Sequence, residues 1–295
     1  MTGLRPLREA DAPDVVAAYR AAFGEARVID EHEIASWLRN TELNPEWLRV
    51  LELDGRIVGY GDLWIVDGEV AVEVAAPGHW QVFLEWAEEI AHEQGAARVR
   101  VASYAGRELV EALQSRGYRL WRSAHTMRLD LDDAPPEESS FPQAIEVRSF
   151  TPSDEEALRA ALNEAFEGDP LFHAVSPAHF REFSLRAPGF DPSLWLLAWD
   201  GEELAGFVLA FPKRSGDLDL GWVQSLGVKP PWRQLGIGEA LLRAAIRRLH
   251  ARGLRAVGLG VEADNPTGAL RLYERVGMRA VSRIDNWVLD VSLEA

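Results

Sequence analysis

The stretch Leu226-Gly-Val-Lys-Pro-Pro-Trp-Arg-Gln-Leu-Gly-Ile-Gly-Glu239 decides how the rest of the chain is understood. An apolar run, expected as a strand over Leu220–Val228, meets two prolines and then a glycine-bearing loop. From about Gly238 to Ala251, Leu241, Leu242, Ala245, Ile246 and Leu249 recur at helical spacing. Glycine lets an anion approach main-chain amides closely, and a new helix presents unpaired N–H groups at the positive end of its dipole. Strand, proline turn, glycine loop and helix together predict a pyrophosphate cradle. Between Lys229 and Arg255 stand seven basic residues (229, 233, 243, 247, 248, 252 and 255) against the single acid Glu239. That local excess strengthens the expectation.

On either side the periodicities alternate. Ile145–Phe150 is expected as a strand and Asp154–Phe166 as a helix. Leu194–Trp199 and Leu204–Phe211 flank the Asp200-Gly201 turn as a hairpin. Downstream come a strand at Ala256–Val261, a helix at Thr267–Val276 and a strand at Ile284–Val291. Hairpins first and a strand–helix–strand later make an α+β fold, a mixed and mostly antiparallel sheet with helices on both faces.

The pattern occurs twice. Leu4-Arg-Pro-Leu-Arg-Glu-Ala-Asp11 matches Val147-Arg-Ser-Phe-Thr-Pro-Ser-Asp154, 143 positions later. Asp54-Gly55 matches Asp200-Gly201, and Leu109 to Tyr118 matches Ala269 to Met278. Three anchors in one order predict a duplication: a domain over 1–132, an acidic, proline-bearing linker at 133–144, and a domain over 145–295. The length of 295 residues suits two domains.

Composition narrows the function. Cysteine is absent, which removes disulfide scaffolds, thiolate-ligated zinc and a cysteine nucleophile, and no metal site is expected. A net charge of −16 argues against nucleic-acid partners. No apolar run is long enough to span a bilayer and the start lacks a signal-peptide core, so a cytoplasmic protein without membrane contacts is expected, monomeric or homodimeric. No G-x-x-x-x-G-K-[ST] string occurs, and Gly258-Leu-Gly-Val-Glu-Ala263 fits a dinucleotide fingerprint with its glycines inside the expected strand.

Arg233-x-x-Gly236-x-Gly238 after a strand and prolines, then Asn265, Leu272-Tyr273-Glu274 and Gly277, resembles the acetyl-CoA-dependent GNAT N-acetyltransferase superfamily. The tandem arrangement with the better motifs in the second half is similar to mycothiol synthase and its relatives. The resemblance implies direct acetyl transfer from acetyl-CoA to the amine of a small molecule. It implies that Arg233, Gln234, Leu235, Gly236, Ile237, Gly238 and Glu239 surround the CoA pyrophosphate, with Asn265 nearby. Leu226 and Val228 would pair with the pantetheine arm, an amide near Leu226–Gly227 would polarise the thioester carbonyl, and Tyr273 would protonate the departing thiolate. A cysteinyl amine is one acceptor the resemblance suggests, and a non-catalytic acyl-CoA sensor is a different class of reading.

Deprotonating the acceptor calls for a base. The strand positions where relatives often carry glutamate hold Trp222 and Gln224. Asp219, Glu262, His173 and His179 remain as candidates, with Glu262 preferred because strand ends border the cleft. The aromatic stretch 166–195, with Phe172 and His173, and Trp222 are expected to line the acceptor pocket. In the first half the loop is replaced by Pro77-Gly-His-Trp80, Ala105 stands for Asn265 and Leu113 for Tyr273. Glu85, Glu88, Glu89 and Glu93 on the following helix are expected to repel a polyanion, so this domain is expected to lack a CoA site.

Overall fold

The computed structural model describes residues 3–40, 43–66, 68–104, 106–132, 137–138, 140–169, 172–212, 219–263 and 268–291. In chain order the first half gives β1 (Leu4–Pro6), α1 (Ala12–Phe23), α2 (Glu31–Arg39), β2 (Leu48–Leu53), β3 (Arg56–Val66), β4 (Glu69–Ala75), α3 (Trp80–Glu93), β5 (Arg98–Ser103), α4 (Arg107–Ser115) and β6 (Arg119–Asp130). The second gives β7 (Ile145–Ser149), α5 (Glu155–Ala165), α6 (Pro177–Phe180), β8 (Leu196–Asp200), β9 (Glu203–Phe211), β10 (Leu220–Val228), α7 (Ile237–His250), β11 (Ala256–Glu262), α8 (Ala269–Val276) and β12 (Arg279–Asp290).

Two compact units result, and neither is continuous in sequence. One comprises Met1–His125, Glu262–Asp264 and Ser282–Ala295, the other Thr126–Val261 and Asn265–Val281. In the first, strands run β1-β2-β3-β4-β5-β12, so the last strand of the chain pairs antiparallel with β5, Asp285 opposite Ser103 through Asp290 opposite Arg98. In the second the order is β11-β10-β9-β8-β7, and Thr126–Asp130 of β6 lies beside β11. The β4–β5 and β10–β11 pairs are parallel, whereas β1–β2, β2–β3, β3–β4, β5–β12, β7–β8, β8–β9 and β9–β10 are antiparallel. The mixed, mostly antiparallel sheet with its helices is the α+β layout expected from the periodicities.

Strand β9 is buried from Leu204 to Ala210 without a break, which requires cover on both faces. Phe207 lies against Gly227 and towards Ala165 of α5, whereas its neighbour Gly206 faces Val228 and Ile237 of α7. Helices α5 and α7 therefore cover opposite faces of one sheet. A side chain at Gly227 would put its Cβ 2.4 Å from the Phe207 ring, which is why that strand position is glycine.

The sequence repeat has a physical basis. Arg5 grips Asp11 with two hydrogen bonds of 2.7 and 2.9 Å, and Arg148 grips Asp154 with two of 2.7 Å. Both aspartates are buried and also accept main-chain N–H groups of their own turns, from Arg8 and Thr151. The two helix ends match as well: Tyr118 N–H returns to the Leu113 carbonyl and Met278 N–H to the Tyr273 carbonyl, both 3.0 Å, beside left-handed Gly117 and Gly277.

Candidate active site

The site begins where two parallel strands part. Strands β10 and β11 are paired from Leu220 opposite Ala256 to Val223 opposite Leu259. Beyond Val223, β10 follows β9 to Val228 opposite Gly206, and a bulge between Val223 and Ser225 leaves Gln224 as the additional, exposed residue. A bulge bends its strand and sharpens the twist. Lys229 donates its N–H to Ala205 of β9 at 2.9 Å. By strand alternation the Gly227 amide also faces β9, while the amides of Leu226 and Val228 face the opened side. These are the residues for which pairing with an extended ligand arm was expected.

After β10, Pro230–Trp232 forms a 3₁₀ turn, held by the Trp232 indole N–H donating to Asp200 Oδ2 at 2.9 Å. The Arg233 guanidinium donates to the carbonyls of Val228 (3.1 Å) and Ala165 (2.9 Å), tying the strand end to the end of α5. Gln234 and Gly236 both adopt positive φ, 64° and 82°. Helix α7 starts at Ile237 behind the left-handed Gly236, and no side chain caps it. Its first-turn N–H groups have no intrahelical acceptors, and left-handed residues near them form the concave amide nest that suits an anion. Gln234, Leu235 and Gly236 are exposed, so a phosphate can reach them.

The basic excess contributes less than its count suggested. Lys229 pairs with Glu164 (3.0 Å) and Glu203 (3.6 Å) and lies 5.2 Å from the Trp232 ring centre. Arg243 and Arg275 both hold Glu239, at 3.0 and 3.1 Å. Partial burial of Glu239 opposes its ionisation, but those two arginines keep its carboxyl below the usual range. Arg248 bonds Ser149 Oγ and the Ser193 carbonyl, and Arg252 bonds Asp191. Most of this charge is therefore used within the fold, which leaves main-chain amides as the principal anion donors.

Tyr273 lies on the inner face of the short α8, which runs between left-handed Gly268 and Gly277. It is 7% exposed, its hydroxyl has no hydrogen bond among the described residues, and burial pushes the phenol up to about 12. Glu262 ends β11 and accepts Arg122 Nη1 on Oε2 at 2.7 Å. Asn265 lies outside the described residues. The glycines of the dinucleotide-like string, Gly258 and Gly260, sit within β11 and form no turn.

Of the residues expected to line an acceptor pocket, Trp222 lays its ring over Gly258, where a Cβ would stand 2.9 Å from it. Phe172 packs on Phe166 with ring centres 5.4 Å apart, and His173 is exposed. Sequence reasoning missed what holds this segment. Asn163 accepts the Val175 N–H at 2.8 Å, and both Asn163 and Arg159 donate to the Val175 carbonyl, fastening the segment to α5. A polar Asn among the apolar positions of that helix was the available signal.

The first unit departs at each point. Strands β4 and β5 part after Val72 and Val101, and β4 keeps its register with β3 without a bulge. Helix α3 opens behind His79, and Glu108 Oε2 accepts both the Gly78 N–H (3.2 Å) and the Trp80 indole N–H (2.9 Å). Those two donors, Trp80 first, lower the Glu108 pKa. A carboxylate thus occupies the donors next to the helix mouth. Glu85 and Glu88 pair with Arg116, which offsets part of the repulsion expected of that helix. Leu113, in the place of Tyr273, is fully buried, and Ala105 lies outside the described residues.

The acetyltransferase (GNAT) family model matches residues 156–278. A mycothiol acetyltransferase of Streptomyces scabiei is 32% identical over 284 residues, 90% of each chain. Another, of Geodermatophilus obscurus, is 36% identical over 172 residues, 57% of this chain and 55% of that protein. Among solved structures, a GCN5-related N-acetyltransferase from Sphaerobacter thermophilus is 28% identical with a TM-score of 0.78, covering 98% of this chain and 95% of the other. A tandem GNAT protein from the clavulanic acid biosynthesis pathway shares the fold at 17% identity and a TM-score of 0.71, with all of both chains covered.

Proposed function

We propose, from the premise that this chain belongs to the acetyltransferase (GNAT) family, that its second half transfers the acetyl group of acetyl-CoA directly to the amine of a small molecule. The observation that carries this reading is the parting of β10 from β11 beside an uncapped helix start at Gly236. The opened edge at Leu226 and Val228 suits an extended amide-bearing arm, and the loop at residues 234–239 suits the two phosphates of its far end.

The chemistry follows from these positions. The neutral amine attacks the thioester carbonyl, a C–N bond forms, and the C–S bond breaks. The Leu226 amide, free of β9, is the donor proposed to stabilise the oxyanion. Tyr273 stays protonated well above neutral pH because it is buried; it gives its proton to the departing thiolate and is restored by the second proton, which the attacking nitrogen sheds as it becomes the amide. Glu262 is proposed to take the proton from the acceptor ammonium. Arg122 engages its Oε2, and Oε1 has no hydrogen bond among the described residues. Trp222, Phe172 and His173 are proposed to contact the acceptor. The 32% identity over 284 residues to a mycothiol acetyltransferase favours one acceptor, a cysteinyl amine on a sugar-inositol.

The first unit is proposed to bind no CoA, because Glu108 takes the donors beside its helix start and Leu113 replaces the acid. No helix among the described residues is long and apolar enough to cross a membrane, which accords with a cytoplasmic enzyme. Calorimetry with acetyl-CoA should give one site per chain, and thiol release should appear with a subset of amines, cysteinyl amines included. Two sites per chain would refute the assignment to one half, and binding without thiol release from any amine would mark a sensor in place of an enzyme.

A further inference from the structure

The first unit contains an acidic, aromatic recess that acetyl transfer does not use. Glu73 is the first residue past the last β4–β5 pair and lies opposite Asp62 on β3. Tyr104 donates to Glu73 Oε2 and Tyr60 to Asp62 Oδ2, each at 3.0 Å. Arg27 spans Glu33 (2.9 Å) and Glu73 (3.2 Å) and lies 5.6 Å from the Tyr19 ring centre. Trp37 stacks on Tyr60 at 5.6 Å, and Tyr19 lies 5.9 Å from the same ring. Two carboxylates, Glu33 and Glu73, thus share one guanidinium, and the Asp62 carboxyl stands opposite Glu73.

The hydrogen bonding of this cluster is incomplete. Tyr19 Oη, Glu33 Oε2 and Asp62 Oδ1 are buried oxygens with no partner among the described residues, and Tyr19 is only 1% exposed. A buried polar atom without a partner is destabilising, and three in one recess point to donors supplied from outside the fold. The side chains of Arg27, Glu33 and Glu73 keep 12–18% of their surface in solvent, so the recess has a mouth. Among the described residues no group of His, Asp or Glu is arranged to hold a metal ion. Both water and an ammonium ion can supply such donors, and the surplus of acidic groups favours the cation.

We propose that this recess binds a small primary ammonium ion. Three N–H donors answer the three unpartnered oxygens, the surplus of carboxylate over guanidinium supplies the counter-charge, and the rings of Tyr19, Tyr60 and Trp37 pack the carbon stem. The residues invoked all belong to the first unit, and the proposal does not depend on the transferase reading. Burial, reinforced by Glu73, raises the Asp62 carboxyl far above the usual range, against the opposing effects of the Tyr60 hydroxyl and Arg27. Tyr19, Tyr104 and Glu33 complete the titratable groups around it. Binding a cation near neutral pH should therefore release a proton from Asp62.

The test is calorimetry of the full chain without acetyl-CoA, with n-butylammonium as probe and tetramethylammonium, which has no N–H donor, as control. Expected are one butylammonium site per chain, an enthalpy that changes with the buffer's ionisation heat, and much weaker tetramethylammonium binding. Asp62→Asn should weaken butylammonium by about tenfold or more, the loss of one charge-assisted hydrogen bond, while leaving acetyl-CoA affinity unchanged. Tyr19→Phe should weaken it too, and it decides the matter if Asp62→Asn fails to fold. No saturable heat, or equal binding in wild type and folded variants, would overturn the site; the second outcome would mean non-specific attraction to a chain of charge −16.

Discussion

Replacing Tyr273 with phenylalanine separates a catalytic hydroxyl from a packing ring. The ring is 7% exposed and belongs to the core of its unit, so phenylalanine keeps the packing. The hydroxyl has no hydrogen-bond partner among the described residues, so its removal leaves nothing else unpaired. At neutral pH the variant should therefore unfold within about 0.5 kcal/mol of wild type. Burial raises the folded-state pKa to about 12. Folding then favours the protonated phenol, and this contribution is complete below the unfolded value of about 10 and lost as pH rises towards 12. At pH 11 the lost contribution amounts to about 1.4 kcal/mol, by which the phenylalanine variant should gain on wild type. Activity should move the other way: kcat falls by about 10²-fold or more, the usual contribution of a general acid, with the KM for acetyl-CoA nearly unchanged. Urea titrations at pH 7.5 and 11, set beside thiol-release kinetics, measure both. An unchanged kcat would refute the acid role. A large loss of stability at neutral pH would refute the claim that the hydroxyl is structurally idle.

Gly236→Ala meets no atom within 4 Å, so its cost is that of holding a side chain at φ 82°, about 1 kcal/mol. Acetyl-CoA affinity should drop by about fivefold in calorimetry with the Tm little changed, and wild-type affinity would show that the loop geometry does not hold the ligand. Asp154→Asn removes a carboxylate that Arg148, ahead of the Thr151 donors, holds down to about 2. The variant should lose about 1–3 kcal/mol near neutral pH. Because the folded-state pKa is lowered, the wild-type advantage exists above about pH 4 and disappears as pH falls through about 2, which urea unfolding at several pH values would reveal.

Much of the fold was legible because its repeating contacts are short-range. Arg148 and Asp154 lie six residues apart, as do Arg5 and Asp11, and each pair closes its own turn. The anion loop was legible for the same reason, since strand, prolines, glycine and helix are contiguous. The composition of the compact units was not. The last strand repeats the same alternating pattern wherever it pairs, and nothing in Arg279–Asp290 announces that it lies beside β5. Charge counting misled for a related reason: Lys229, Arg248 and Arg252 look solvent-facing in sequence, whereas their partners at Glu164, Ser149 and Asp191 are fixed by tertiary packing.

The two units differ at corresponding points of the same fold. Where β10 leaves β11, the next residue is Gln224, which cannot serve as a base, and the helix beyond has an uncapped start behind a left-handed glycine. Where β4 leaves β5, the next residue is Glu73, a carboxylate set beside Asp62, and the donors near the helix beyond are taken by Glu108. A duplicated fold of this kind has two separable demands, a positive end for phosphate and a negative recess for an ammonium. On the readings proposed above, the second unit answers the first of these and the first unit the other. Because main-chain amides and buried carboxylates set those preferences, they survive in a chain whose overall charge of −16 would repel CoA and attract any cation. Selectivity therefore has to come from local geometry, at Gly236 for the anion and at Tyr19 and Asp62 for the cation.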